Sequence, residues 1–177
     1  MSKLLLAILV CASTLSAQSR ERKIGDVGFV GGMFSGGGSS HVDVSARLFW
    51  SGSDTLAVVS IHASSLGESS DYVTVSMSRE QVKLFTDSVD AILTAKPSVQ
   101  KGETMTLSVS VTDHSENGIL FGRKIGDKDQ LSLFFRGIGG IRSVLQRVDE
   151  KGARKVVDLL RRGGDALDEM TGKKAAP

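Results

Sequence analysis

One cysteine, Cys11, occurs in 177 residues, beside two prolines, one tryptophan and one tyrosine. A lone thiol excludes a disulfide framework and a cysteine-based zinc site. The three histidines, His41, His62 and His114, never stand at the His-x-x-x-His spacing that puts two imidazoles on one helical face. Charge of one sign is also missing. The formal net charge is +2, so overall charge selects no partner, nucleic acid included. There is no Gly-x-Ser-x-Gly elbow, no Gly-Lys-Ser/Thr to close a phosphate loop and no Asn-x-Ser/Thr sequon. Long apolar runs are absent apart from Leu4 to Ala12.

That run has a meaning. Lys3 precedes it, and small and polar residues follow it to Ser16-Ala17. A charge, a short apolar core and a small residue, in that order, are expected of a secretory signal peptide cut after Ala17. The core is shorter than the roughly 20 residues a membrane span needs. Val10 stands before Cys11 where lipidation wants a small residue, so Cys11 reads as part of a discarded segment. The expected location is secreted or periplasmic, with a cysteine-free mature chain.

Seven glycines fall between Gly25 and Gly38. Such density is costly to order, so residues 18–41 read as a flexible arm that folding does not need. Val27, Phe29 and Val30 offer an edge strand there at most. From His41 the pattern changes to period two: Val42, Val44, Ala46, Leu48 and Trp50 alternate with Asp43, Ser45 and Arg47. Leu56–Ala63 is largely apolar on both faces, as in a central strand, and Tyr72–Met77 is a third strand. Ser78-Arg-Glu-Gln81 is a capping box. It opens a helix whose stripe is Val82, Phe85, Val89, Ile92 and Leu93, and which ends before Pro97.

The order then repeats. Met105–Val111 alternates with Ser and Thr, Asn117-Gly118 marks a hairpin, and strands follow at Ile119–Ile125 and Gln130–Arg136. A helix is expected from Ile141 to Arg162, stopped by Gly163-Gly164, with a mobile tail over 165–177. Three strands and a helix, twice, predict an α+β fold of antiparallel sheet over residues 42–164. Arg-Lys-Ile-Gly-Asp occurs at both 22–26 and 123–127, but the flanks do not align and the match reads as coincidence.

No catalytic or metal set emerges, and no cofactor is implied. Asp113–Gly118 has the first half of a calcium loop, but Lys124 stands where the bidentate carboxylate belongs, so it reads as a polar turn. Ser98-Val-Gln-Lys101 and Ser115-Glu-Asn117 match two elements of penicillin-binding enzymes. The third, Lys-Thr-Gly, is missing. His41 and Asp43 alternate on one strand, a common arrangement without function. The most asymmetric surface is Arg142–Arg162, with seven basic residues against three acidic ones. On a helical wheel Arg147, Lys151, Arg154 and Arg161 flank the apolar stripe of Ile141, Leu145, Val148, Val156 and Leu159. The expectation is a non-enzymatic envelope domain whose partner is an envelope protein or an anionic surface met through those four residues. A small envelope hydrolase is the alternative.

Overall fold

Strands β1 (Gln18–Val30), β2 (Ser39–Ser51), β3 (Asp54–Ser65) and β4 (Tyr72–Met77) lie in that order in one antiparallel sheet. Helix α1 (Arg79–Thr94) follows. Strands β5 (Met105–Thr112), β6 (Gly118–Ile125), β7 (Gln130–Arg136) and β8 (Ser143–Val148) form a second sheet, and α2 (Glu150–Thr171) closes the chain. This is the computed structural model, described over residues 18–30, 39–51, 53–65, 72–138 and 143–172. The α+β class is as expected, with one strand more in each half.

The alternating pattern explains the first sheet. Val42, Val44, Ala46 and Leu48 of β2 are each 2% exposed or less. Val59, Ile61 and Ala63 bury beside them on β3. Each large side chain removed from water on such a face contributes about 1.5–3 kcal/mol. In α1 the capping box forms as read: the Ser78 hydroxyl accepts from the Gln81 backbone N–H at 3.2 Å, and the Gln81 side chain accepts from the Ser78 N–H at 2.8 Å. Val82, Phe85 and Val89 are then buried.

The two halves interlock. α2 follows the second sheet but packs chiefly on β1, β2 and β3 of the first, and α1 packs chiefly on α2 and β5. Arg123 of β6 donates to the carbonyls of Ile92, Leu93 and Ala95 at 2.9–3.2 Å, supplying the cation that the last turn of α1 lacks. Ser40 of β2 bonds the buried amide of Gln146 on β8. Both sheets and both helices share one apolar core.

Four readings change. Residues 18–30 are not an arm: β1 pairs with β2 from Gln18↔Trp50 to Val30↔Ser39 and buries Val27 and Phe29. The helix expected from Ile141 is a strand over Ser143–Val148, with Val144 and Gln146 facing inward; α2 begins only at its N-cap, Asp149. Gly163-Gly164 does not stop the helix. A Cβ at 163 would stand 2.8 Å from Val59 Cγ1, and one at 164 would stand 2.6 Å from Arg79 Nη1. Both glycines are close-packing notches inside α2. The true stop is Gly172, left-handed at φ 69°. Asp165–Thr171 therefore belongs to the helix, with Ala166 and Leu167 buried. The copy of the pentapeptide at 22–26 lies in β1 and that at 123–127 runs off the end of β6, places that are not equivalent. The expected signal peptide, residues 1–17, and the glycines of 31–38 lie outside the described residues. No described helix is long and apolar enough to cross a membrane.

Candidate functional site

The first turn of α2 passes the end of β1 closely. A Cβ at Gly152 would stand 2.9 Å from Phe29 Cε1, so glycine permits the approach. Asp149 caps this end, its carboxylate accepting from the Gly152 N–H at 2.7 Å. Beside the crossing lies a groove of about 410 Å3, lined by Gly28 and Phe29 together with Arg147, Asp149, Lys151 and Lys155.

Arg147, Lys151 and Lys155 are exposed, and no carboxylate among the described residues pairs with them. Lys151 and Lys155 are one helical turn apart, where like charges repel. Asp149 is the only acidic residue lining the groove, and one of its oxygens is held by the helix end. The groove thus gathers three cations around a single carboxylate, an excess of positive charge.

The other two basic residues singled out by the helical wheel sit elsewhere. Arg154 donates to Glu150 at 2.7 and 2.9 Å and lies 3.7 Å from Asp90 of α1. Arg161 donates to Asp90 at 2.7 Å and to Asp87 at 3.3 Å. The Asp90 carboxylate raises the Arg161 pKa above its ordinary value, and Asp87 is lowered, first by Lys83 and then by Arg161. Arg154 and Arg161 therefore clasp α1 to α2. The four residues do not form one surface: Arg147 stands on β8, near Lys151, and Lys155 completes their cluster. The wheel missed Lys155 because Arg147 was placed on the helix, which rotated the inferred flank.

The outer face of the first sheet is a second polar region. Arg47 donates to Glu21 at 2.8 and 3.0 Å and, with Ser45, holds the Glu21 carboxyl below its usual range. A β-bulge at Lys23–Gly25 gives β1 one extra residue against β2. Lys23 then faces Ser45 and Asp26 faces Asp43, so residues three apart share one face. The Lys23 ammonium lies 3.4 Å from Asp43 and 3.7 Å from Asp26. His41 Nε2 lies 3.4 Å from Asp43 and 3.6 Å from Asp26. On β3, His62 pairs in register with Asp43 and bonds the Thr74 hydroxyl through Nδ1 at 2.8 Å. The strand alternation showed His41 and Asp43; Asp26 was lost with the arm.

The Asp113 turn is structural. Its carboxylate accepts from the backbone N–H groups of Ser115, Asn117 and Ser76 at 2.8–3.0 Å, which ties the β5–β6 hairpin to β4. Ser98 and Lys101 lie in the irregular link before β5.

The chain matches no family model, no curated protein and no solved structure.

Proposed function

We propose that this is an exported binding domain of the cell envelope that holds an anionic surface, with phosphate-bearing lipid headgroups as the chemical type, in the groove of Arg147, Lys151 and Lys155. The observation that carries the reading is the division of basic residues around α2. Those facing α1 are neutralised by Asp87, Asp90 and Glu150. The three at the groove have no such partner and converge on a hollow of about 410 Å3. Three cations beside one carboxylate repel one another, and an external anion relieves that repulsion. The order of charge, apolar core and small residue in the first seventeen residues supports export. The reading assigns no reaction.

Vesicles containing phosphatidylglycerol test it. The protein should bind them at low salt and release them as salt rises. Replacing Arg147, Lys151 and Lys155 together by Gln should weaken binding on the order of 100-fold, from about 1 kcal/mol per basic residue near an anionic surface. Replacing Arg154 and Arg161 by Gln should leave binding intact and loosen the helix pair. Absence of salt-sensitive binding, or equal binding by the triple variant, would contradict the proposal. Binding to heparin but not to vesicles would identify a polyanion as the partner and remove the lipid assignment.

A further inference from the structure

The outer face of the first sheet carries a donor set that the groove does not use. We propose that Asp26, His41 and Asp43 form a divalent-cation site suited to Zn2+.

Three observations meet here. The donors are mixed, one imidazole nitrogen and two carboxylates, with an atom from each within 4.8 Å of the others. The separations are specific: His41 Nε2 stands 3.4 Å from Asp43 Oδ1 and 3.6 Å from Asp26 Oδ2. With ligand bonds of about 2.0–2.1 Å, the edges of a tetrahedral zinc site are about 3.3 Å long, so these two edges need to close by only a few tenths of an ångström. The fourth position is left for water, as in zinc sites with three protein ligands. Finally, the bulge at Lys23–Gly25 turns Asp26 onto this face opposite Asp43, and it brings a cation along. The Lys23 ammonium lies 3.4 and 3.7 Å from the same two carboxylates.

Lys23 is the resident cation that zinc must displace. Its side chain is 68% exposed, so it swings into water at little cost. It supplies one positive charge against two carboxylates, and His41 adds another only when protonated. The other groups on this face do not fill the deficit. Arg47 is engaged by Glu21, and His62 by Thr74. A nitrogen donor with so few oxygens favours Zn2+ over Ca2+ or Mg2+, which take six or more oxygen ligands.

Calorimetric titration of the purified full-length protein with Zn2+, alongside NMR of the histidine ring nitrogens, tests the site. One Zn2+ should bind per chain, the His41 Nε2 resonance should shift with it, and Ca2+ or Mg2+ at the same concentration should do neither. His41→Ala and the near-isosteric Asp43→Asn should each weaken binding more than tenfold, and His114→Ala should leave it unchanged. Lys23→Met removes the competing charge and should tighten binding about tenfold. A tighter site cannot arise from misfolding, so this variant keeps the test decisive if His41→Ala unfolds. The proposal falls if the wild type shows no saturable zinc binding, if His41→Ala binds as well as wild type, or if Lys23→Met binds more weakly. It stands apart from the groove: loss of vesicle binding in the triple variant should leave the zinc titration unaltered.

Discussion

The two sheets share one topology and differ on their outer faces. The first presents Glu21, Lys23, Asp26, His41, Asp43, Arg47 and His62, an ionic lattice across three strands. The second presents a row of Ser110, Leu120, Phe134 and Leu145, aligned strand to strand, with no acidic residue in it. Inward, the two are alike: Val44, Val59 and Ile61 on one and Phe121, Leu133 and Phe135 on the other are nearly or fully buried. The common fold constrains the inner positions, because both helices and both sheets meet in one core. Outer positions are free to carry charge. Chemistry-bearing residues therefore collect on the first sheet and where β1, the end of β8 and the first turn of α2 meet.

Removing β1 should break this comparison most severely. Without residues 18–30, β2 loses one of its two partners along nearly its whole length and becomes an edge, and the N-terminal part of α2 loses the surface formed by Val27 and Phe29. The deletion should abolish cooperative thermal unfolding. A midpoint within about 5 °C of wild type would mean that β1 is an ornament on a seven-stranded fold.

A matched pair of glycine substitutions sharpens it. Gly163→Ala drives a Cβ to 2.8 Å from Val59 Cγ1 and 3.5 Å from Val44 Cγ1. Valine is stiff at χ1 and cannot turn aside, so the expected loss is about 1–3 kcal/mol. Gly122→Ala on the second sheet meets Ser132 Oγ at 3.4 Å and Leu120 Cδ2 at 3.6 Å, ordinary contact. Its effect should stay within about 0.5 kcal/mol. Urea melts of the two variants check the contrast. Equal effects would deny that α2 is held to the first sheet by close approach.

The smallest effect is electrostatic. Glu21 has a lowered carboxyl pKa in the folded state, so its contribution is present above the ordinary carboxylate value and is lost as pH falls through the lowered one. The side chain is 51% exposed, which holds the contribution below about 0.5 kcal/mol after solvent screening. Wild type should lose this increment on acidification, and Glu21→Gln should lack it at every pH. A Gln variant that loses stability in the same acid range by the same amount would assign the loss to other carboxylates.

Local signals made most of the fold legible. β2, β4 and β5 announced themselves by alternation, β3 by an apolar run, β6 and β7 by the turns that bound them, and α1 by its capping box. β1 was legible only as an edge strand at Val27, Phe29 and Val30, because the glycine density around them resembles a tether, while its full length is ordered by pairing with β2. β8 was hidden because Gln146 occupies an inward position where strand alternation calls for an apolar residue, satisfied by Ser40 on the other sheet. Gly163 read as a stop because its partner, Val59, is more than a hundred residues distant. The site was half legible for the same reason. Arg147 and Lys151 are at the groove, but the carboxylates that occupy Arg161, and Asp90 beside Arg154, come from α1, beyond the reach of a helical wheel.

The most direct test of the account is an amide NMR titration with a soluble short-chain phosphatidylglycerol below its micelle concentration. The account predicts shifts clustered at Gly28, Arg147, Lys151, Gly152 and Lys155, fading as salt is added, with the row of Leu120, Phe134 and Leu145 unmoved. Shifts centred on that row and indifferent to salt would contradict it. They would place binding on the second sheet and make the basic groove ordinary solvated surface.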